Sequence, residues 1–394
     1  MEQKIKQYTS GMILSSAIQP TISTNNLSEE NRENELLEEE LGTLDVTEIE
    51  RFWEQLINEY GGFLPELERG NWQDFLQQLG EFSLSQIFKG FAAFAFHELL
   101  VNGQLVGLLI MLTIFSMFLQ SLQNAFEKST VAKIAYAVVF MVLIIIALNS
   151  FQVVISYATE TVQKIIDFTL AIVPLLLALV ATSGGVVSAS FFHPVIVFLA
   201  NTSGIFVKTI ILPMLFLSTL LSIISTLTEH YKLTQLAGLL RNWGIGLLGI
   251  FMTVFLSVVS LQGTAMAVAD GVAIRTAKFV TGNFIPVVGR MFTDATDTVI
   301  SASIVLKNSI GIAGVILLLL ITLFPVIKIL VIAFIYKFSA AILQPLGGGP
   351  IITCLDVISN CIFYLFAAVG IVAIMFFLSL TIIILAGNLT MMVR

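Results

Sequence analysis

The sequence predicts an all-α fold: a polytopic helical membrane protein of about seven or eight spans, preceded by a small helical region outside the bilayer. Three observations predict it. Of 394 residues, 57% are hydrophobic and only 11% charged, where a soluble domain carries about 25% charged side chains. The charges are also unevenly placed: residues 1–101 hold 18 of the 26 acidic and 6 of the 19 basic side chains, leaving 8 and 13 for the other 293 residues. Finally, that poorly charged part contains repeated apolar stretches of about 20 residues, the length a helix needs to cross a hydrocarbon core at about 1.5 Å per residue. Within lipid every backbone amide must find its acceptor inside the segment, which makes these stretches helices. A water-soluble enzyme of this composition would lack solvated surface.

Residues 1–45 form a leader. Lys4 and Lys6 precede a weakly apolar patch, Gly11 to Ala17, with Ser15 and Ala17 at the spacing of a small-residue cleavage site. That pattern fits either a degenerate export signal or a disordered tail. Residues 25–45 are rich in Glu and poor in apolar side chains, a composition that stays solvated. Residues 46–101 are expected to fold as an amphipathic helical module. Thr47 and Glu50 have capping-box spacing, and Ile49, Phe52, Trp53, Leu56, Ile57 and Tyr60 recur on one helical face ahead of Gly61 and Gly62. A short helix from Asn71 places Trp72, Phe75, Leu76 and Leu79 together. Ser83 and Gln86 repeat the capping spacing before an aromatic-rich helix from Leu84 to Val101, with Phe88, Phe91, Phe94 and Phe96. The module is either a cap on its own membrane domain or a docking surface for another protein.

Residues 102–394 are the membrane domain. Leu105 to Leu122 and Ile134 to Val154 make a transmembrane hairpin whose turn carries Asn124, Glu127, Lys128 and Lys133. Phe168 to Val187 is a third span, interrupted by Pro174 and closing on Ser183 to Gly185. Phe191 to Thr226 is too long for one comfortable span, and Pro194, Gly204 and Pro213 divide it in two. Gly244 to Leu261 follows. Ser309 to Leu346 is one kinked helix or two short ones around Pro325, and Ile362 to Ala386 is the last span. Lys128 and Lys133 place the first hairpin turn in the cytoplasm, and His230, Lys232 and Arg241 place a later turn on the same side. The acidic arm then lies outside the cytoplasm, with an even number of crossings between the two turns.

The chemistry of the side chains excludes several function classes. Cys354 and Cys361 are too few for a disulfide framework or a cysteine-based zinc site, and seven residues apart on one helix they stand about 10 Å apart, too far to bridge. They are packing residues. Nucleic acid is excluded as a partner, because no basic patch interleaved with aromatics exists and the acidic start repels phosphate. His97, His193 and His230 have no second ligand at helical spacing, so no metal motif is present, and no cofactor is expected. His193, in FFHP, either lines a polar pathway or ends a helix at the interface. The glycines of LGGGP, Gly347, Gly348 and Gly349, and of Ser183 to Gly185 either allow close backbone approach in a broken helix or form inter-helix turns. Residues 262–307 form an amphipathic or re-entrant segment in which Arg275, Lys278, Arg290, Asp294 and Asp297 alternate with apolar side chains. Arg290 and Asp294 stand at i,i+4, where an ion pair in water contributes only about 0.2–0.5 kcal/mol. These charges face either a pathway or partner, or solvent at the interface.

Five long motifs carry a resemblance. FWEQLINEYGGFLPE from Phe52, AVADGVAIRTAKF from Ala267, GNFIPVVGRMFTDATDTVISAS from Gly282, LQPLGGGPIITCLDVIS from Leu343 and FFLSLTIIILAGNLTMM from Phe376 closely resemble the stage III sporulation protein AE family of endospore-forming bacteria. The resemblance implies a multi-pass protein of the mother-cell membrane around the forespore. It implies partnership with other stage III sporulation A proteins and with a forespore-membrane partner, in a secretion-like channel between the two cells that supports forespore development. It implies no catalytic residues, and the export signal at the amino end is weaker than the family leads one to expect. The competing expectation is an autonomous secondary transporter of a small solute, motivated by the Pro and Gly interruptions. An intramembrane hydrolase is a third and weaker reading, since no paired catalytic groups occur at helical spacing.

Overall fold

A computed structural model describes residues 46–64, 72, 75–76, 84–125, 130–227, 232–284, 288–346 and 350–392. Every regular element among them is helical. The order is α1 (Thr47–Tyr60), α2 (Leu84–Val101), α3 (Gly103–Ala125), α4 (Thr130–Thr182), α5 (Val186–Phe206), α6 (Leu212–Leu227), α7 (Thr234–Phe284), α8 (Val288–Leu343) and α9 (Pro350–Met392). The leader lies outside the described residues, as do Ser83 and Gly347 to Gly349.

The module at 46–64 folds as its periodicity requires. Ile49, Phe52, Trp53, Leu56 and Tyr60 are buried along α1, and a 3-10 turn at Gly61–Phe63 ends it. The helix begins one residue earlier than the Thr47 and Glu50 spacing predicts: the residue before it is Val46, which makes no side-chain cap bond. Trp72 and Phe75 complete an aromatic cluster against Trp53. α2 spans the expected residues and runs almost without interruption into α3. At the joint, the Asn102 side-chain amide donates to the Glu98 carbonyl at 2.8 Å.

Beyond this point the helices are longer than the expected spans. Among the described residues, six helical stretches are long and apolar enough to cross a membrane: Gly103–Leu122, Ile134–Thr182, Val186–Thr226, Thr234–Ala277, Ser303–Leu343 and Pro350–Asn388. The spans expected at 134–154 and 168–187 are one helix, α4, because the polar stretch between them is still strongly helix-forming. Its exposed side chains pair one turn apart, Ser156 to Glu160 and Gln163 to Asp167. Pro174 and Pro325 sit inside α4 and α8 without ending them, as happens in membrane helices when neighbours pack around the freed carbonyl. The stretch expected as two pieces at 191–226 is continuous. Its irregularity is a π turn, Val207–Ile211, just ahead of Pro213, which rearranges the ladder where proline supplies no N–H.

The segment 262–307 is likewise continuous helix on both sides, the end of α7 and the start of α8. Ser183 to Gly185 is a tight turn. Gly184 has φ +97°, and a Cβ on Gly185 would stand 2.9 Å from the Val180 carbonyl oxygen, so this turn needs its glycines.

The core runs along α4, α8 and α9, with α7 and α5 to α6 packed around it and α3 beside the first half of α4. Two helical runs, α4 and then α5 with α6, separate the amino end of α4 from the amino end of α7, so both of these helix ends fall at one end of the bundle. Across that end Ser218 donates to the Ala237 carbonyl at 2.7 Å, and Ser359 to the Ala333 carbonyl at 2.9 Å.

Candidate functional site

Two clusters concentrate the polar chemistry of the bundle. The first lies half-way along α4, where the amino-terminal module docks. The Phe52 ring meets Phe168 edge-on at 5.4 Å, and Tyr60 stacks on Phe324 at 4.1 Å. Around these rings lies a set of charges. Lys164 of α4 pairs with Glu59 at 2.9 Å, and Lys328 of α8 pairs with Glu98 of α2 at 3.5 Å. Lys328 also stands about 6 Å from the rings of Tyr60, Phe94 and Tyr157, close enough for a cation–π contribution. Burial pushes the Glu59 carboxyl up, but hydrogen bonds from Tyr60 and Lys164 and the charges of Lys164 and Lys328 outweigh it and hold Glu59 below the usual carboxylate range. Burial, with the Glu59 carboxylate, raises the Tyr60 phenol well above its ordinary value. On the outer side, Lys208 of the π turn donates to Gln163. The result is a polar belt at mid-height, with apolar helix above and below.

The second cluster lies at the opposite end from the Ala237 and Ala333 contacts, under the Ser183 to Gly185 turn. Asp270 of α7 is almost fully buried and acts as the N-terminal cap of α5 from a distant helix. One carboxylate oxygen accepts the Val187 N–H at 2.8 Å, the other accepts the Ser188 N–H at 3.2 Å, and the Ser188 hydroxyl donates to it as well. Such a carboxylate satisfies orphan amides and complements the positive end of the helix. Lys307 of α8 is completely buried, and its ammonium donates to the Asn388 side-chain oxygen of α9 at 2.6 Å. Val180 stands between the two groups: a Cβ on Gly185 would come near both Val180 and Asp270, and one on Gly387 near both Lys307 and Val180. Buried ionisable groups in a membrane domain are costly and mark sites of function or of specific helix pairing.

Of the expected site residues, Arg275 and His193 are the ones whose side chains are described. Arg275 is exposed on α7, and His193 is exposed on α5. Lys278, Arg290, Asp294 and Asp297 lie on α7 and α8, with side chains outside the described set, and Gly347 to Gly349 lie outside the described residues. Asp270 and Lys307 were visible in the sequence as charges in the same segment, but nothing in their spacing separates them from the exposed Arg275. Only burial does. Cys354 and Cys361 are both free and buried, consistent with packing.

Comparison with known proteins places this architecture. A family model described as stage III sporulation protein AE matches residues 70–387. Stage III sporulation protein AE of Bacillus subtilis (strain 168) is 60% identical over 360 residues, covering 91% of this chain and 90% of that protein. No solved structure matches. A helical body with several stretches able to cross a bilayer, matched over most of its length, identifies the chain as a member of the stage III sporulation protein AE family, a multi-pass membrane protein with a role in sporulation.

Proposed function

We propose that the chain is a non-enzymatic subunit of an assembly made with other stage III sporulation A proteins and a forespore-membrane partner. The assembly sits in the mother-cell membrane around the forespore and forms a secretion-like channel between the two cells, needed for forespore development. The observation that carries the proposal is the near full-length similarity to the Bacillus subtilis protein. The fold adds a physical rationale: the amino-terminal module is clamped on the bundle at mid-height, on the face of α4 and α8, which gives a rigid platform for neighbours. Crosslinking with mass spectrometry in sporulating cells tests it. Links from residues 46–101 to other stage III sporulation A proteins support the assembly, and a chain without such links, in cells that sporulate only when it is present, counts against it.

The autonomous transporter loses part of its motivation. Pro174 and Pro325 lie inside continuous helices, so the discontinuous helices that suggested a solute site are absent at those two positions. Reconstitution of the chain alone in liposomes tests that reading directly, with substrate-dependent flux as its required result.

A further inference from the structure

One face of α7, at its amino end, lacks a side chain in the middle of a polar stripe. Thr234, Gly238, Arg241 and Asn242 stand at i, i+4, i+7 and i+8, so they share that face. Apart from the backbone of its own helix, a Cβ on Gly238 would meet only the Arg241 Nη2, at 4.0 Å. The glycine therefore leaves a notch, with Thr234 on one side and Arg241 and Asn242 on the other. An open cavity of about 800 Å³ lies over the notch, and Gln235 and Trp243 extend its walls. Arg241 is the cation of this notch. Its guanidinium lies over the Tyr364 ring of α9 at 4.4 Å, which holds the plane of the fork in place. Its Nε is buried without a hydrogen-bond partner, which leaves the Nη edge to face the cavity. Among the described residues no carboxylate pairs with it. Lys337 of α8, at the same end of the bundle, differs, since Asp356 pairs with it at 2.6 Å.

We propose that the notch holds a phosphate group, that of an anionic phospholipid in the leaflet at this end of the bundle. Arg241 belongs to the stretch Thr234–Ala277 that can cross a membrane, about 10 Å from its start at about 1.5 Å per residue. A charge at that depth needs an anion or a route to the surface. The side chain turns back toward the start of α7, where its Nη2 lies beside Gly238, and Trp243 is 62% exposed, as aromatic side chains are at headgroup level. A planar guanidinium donates two parallel N–H bonds to a phosphate. Thr234, Gln235 and Asn242 add neutral donors, and the positive end of α7 favours an anion among them. The lipid is favoured over a soluble phosphate because Leu236 and Leu239, both exposed, also line the cavity. Acyl chains cover these side chains, and a free phosphate gains nothing from them. The proposal does not depend on the channel reading.

Native mass spectrometry of the full-length chain in detergent, titrated with phosphatidylglycerol, tests it through the affinity of the first lipid bound. Wild type is expected to retain phosphatidylglycerol in preference to diacylglycerol of the same acyl chains, which lacks the phosphate. Arg241→Gln and Gly238→Leu are each expected to bind the first phosphatidylglycerol about ten-fold more weakly, the factor for one charge-assisted contact. Gly238→Leu keeps the guanidinium and its stack on Tyr364 and fills only open space, so it reports on the notch even where loss of Arg241 disturbs folding. Arg241→Lys, with the charge but not the fork, falls between wild type and Arg241→Gln. Equal retention of diacylglycerol shows binding through acyl chains and overturns the phosphate. A first-lipid affinity unchanged in Gly238→Leu overturns the notch as its place. Inorganic phosphate that binds wild type without lipid and displaces phosphatidylglycerol shows a soluble ligand and overturns the lipid.

Discussion

Lys307 illustrates what one residue costs and specifies. Its ammonium is removed from water and held by the Asn388 oxygen alone among the hydrogen bonds described. Removing that oxygen with Asn388→Leu leaves the ammonium without this acceptor, expected to destabilise the protein by about 1–3 kcal/mol. The double change Lys307→Met with Asn388→Leu replaces charge and amide by apolar side chains and recovers much of the loss, as thermal unfolding in detergent will show. Lys328 acts differently because it stands at the edge of water. Lys328→Met removes the Glu98 pair and three ring contacts, and an expected loss of about 1–3 kcal/mol loosens α1 and α2 rather than the bundle, which limited proteolysis of residues 46–101 detects. The Glu59 carboxyl sits below its ordinary value of 4.5 when docked. A depressed carboxyl stabilises the folded state at pH above that ordinary value and loses the contribution as pH falls through the folded one. Docking of α1 is therefore expected to be insensitive to pH near neutrality and to weaken below about pH 4.5, measured by protease sensitivity of the module against pH.

At the scale of elements, the close approach of α2 to the turn after α1 depends on Gly90. A Cβ there would lie 2.5 Å from the Phe63 carbonyl oxygen, a backbone atom that does not swing aside. Gly90→Val is expected to part the two segments at about 1–3 kcal/mol, seen as loss of protease protection with the membrane helices intact. The face of α1 was legible in the sequence because a half-buried helix writes its partner into a 3.6-residue pattern, whereas the phenylalanines of α2 fall on more than one side, with Phe94 buried and Phe88 and Phe96 exposed. Helix boundaries inside the membrane domain were less so. Apolarity marks where a helix can meet lipid, while a polar stretch such as Ser156 to Asp167 looks like a loop until its i,i+4 pairs are placed on the surface of one long α4. Proline was equally ambiguous: Pro174 is accommodated within a helix, whereas Pro213 follows a π turn.

For the whole molecule, the even number of crossings between the two basic turns is preserved although the spans themselves merge, since α4 and the α5 to α6 run replace four expected crossings with two. With the basic turns in the cytoplasm, Lys232→Cys is expected to react with an impermeant thiol reagent only from the cytoplasmic side, and Thr182→Cys only from the opposite side. Labelling of both from one side would invalidate the orientation.

Composition and hydropathy by themselves determined that this chain is a multi-pass helical protein, because lipid leaves the backbone few alternatives and a span of a given thickness needs a given number of apolar residues. The amphipathic face of α1 was determined in the same way, by rules that act over a few residues, whereas Ser183 to Gly185 read equally as a turn or as a broken helix. Tertiary structure alone decided that Asp270 caps α5 and that Lys307 reaches Asn388, since burial is set by helices 80 residues away in the chain. It also decided that Arg275 stays exposed. Neighbouring charges along a helix look alike in sequence, and the desolvation that distinguishes them exists only once the other helices have packed.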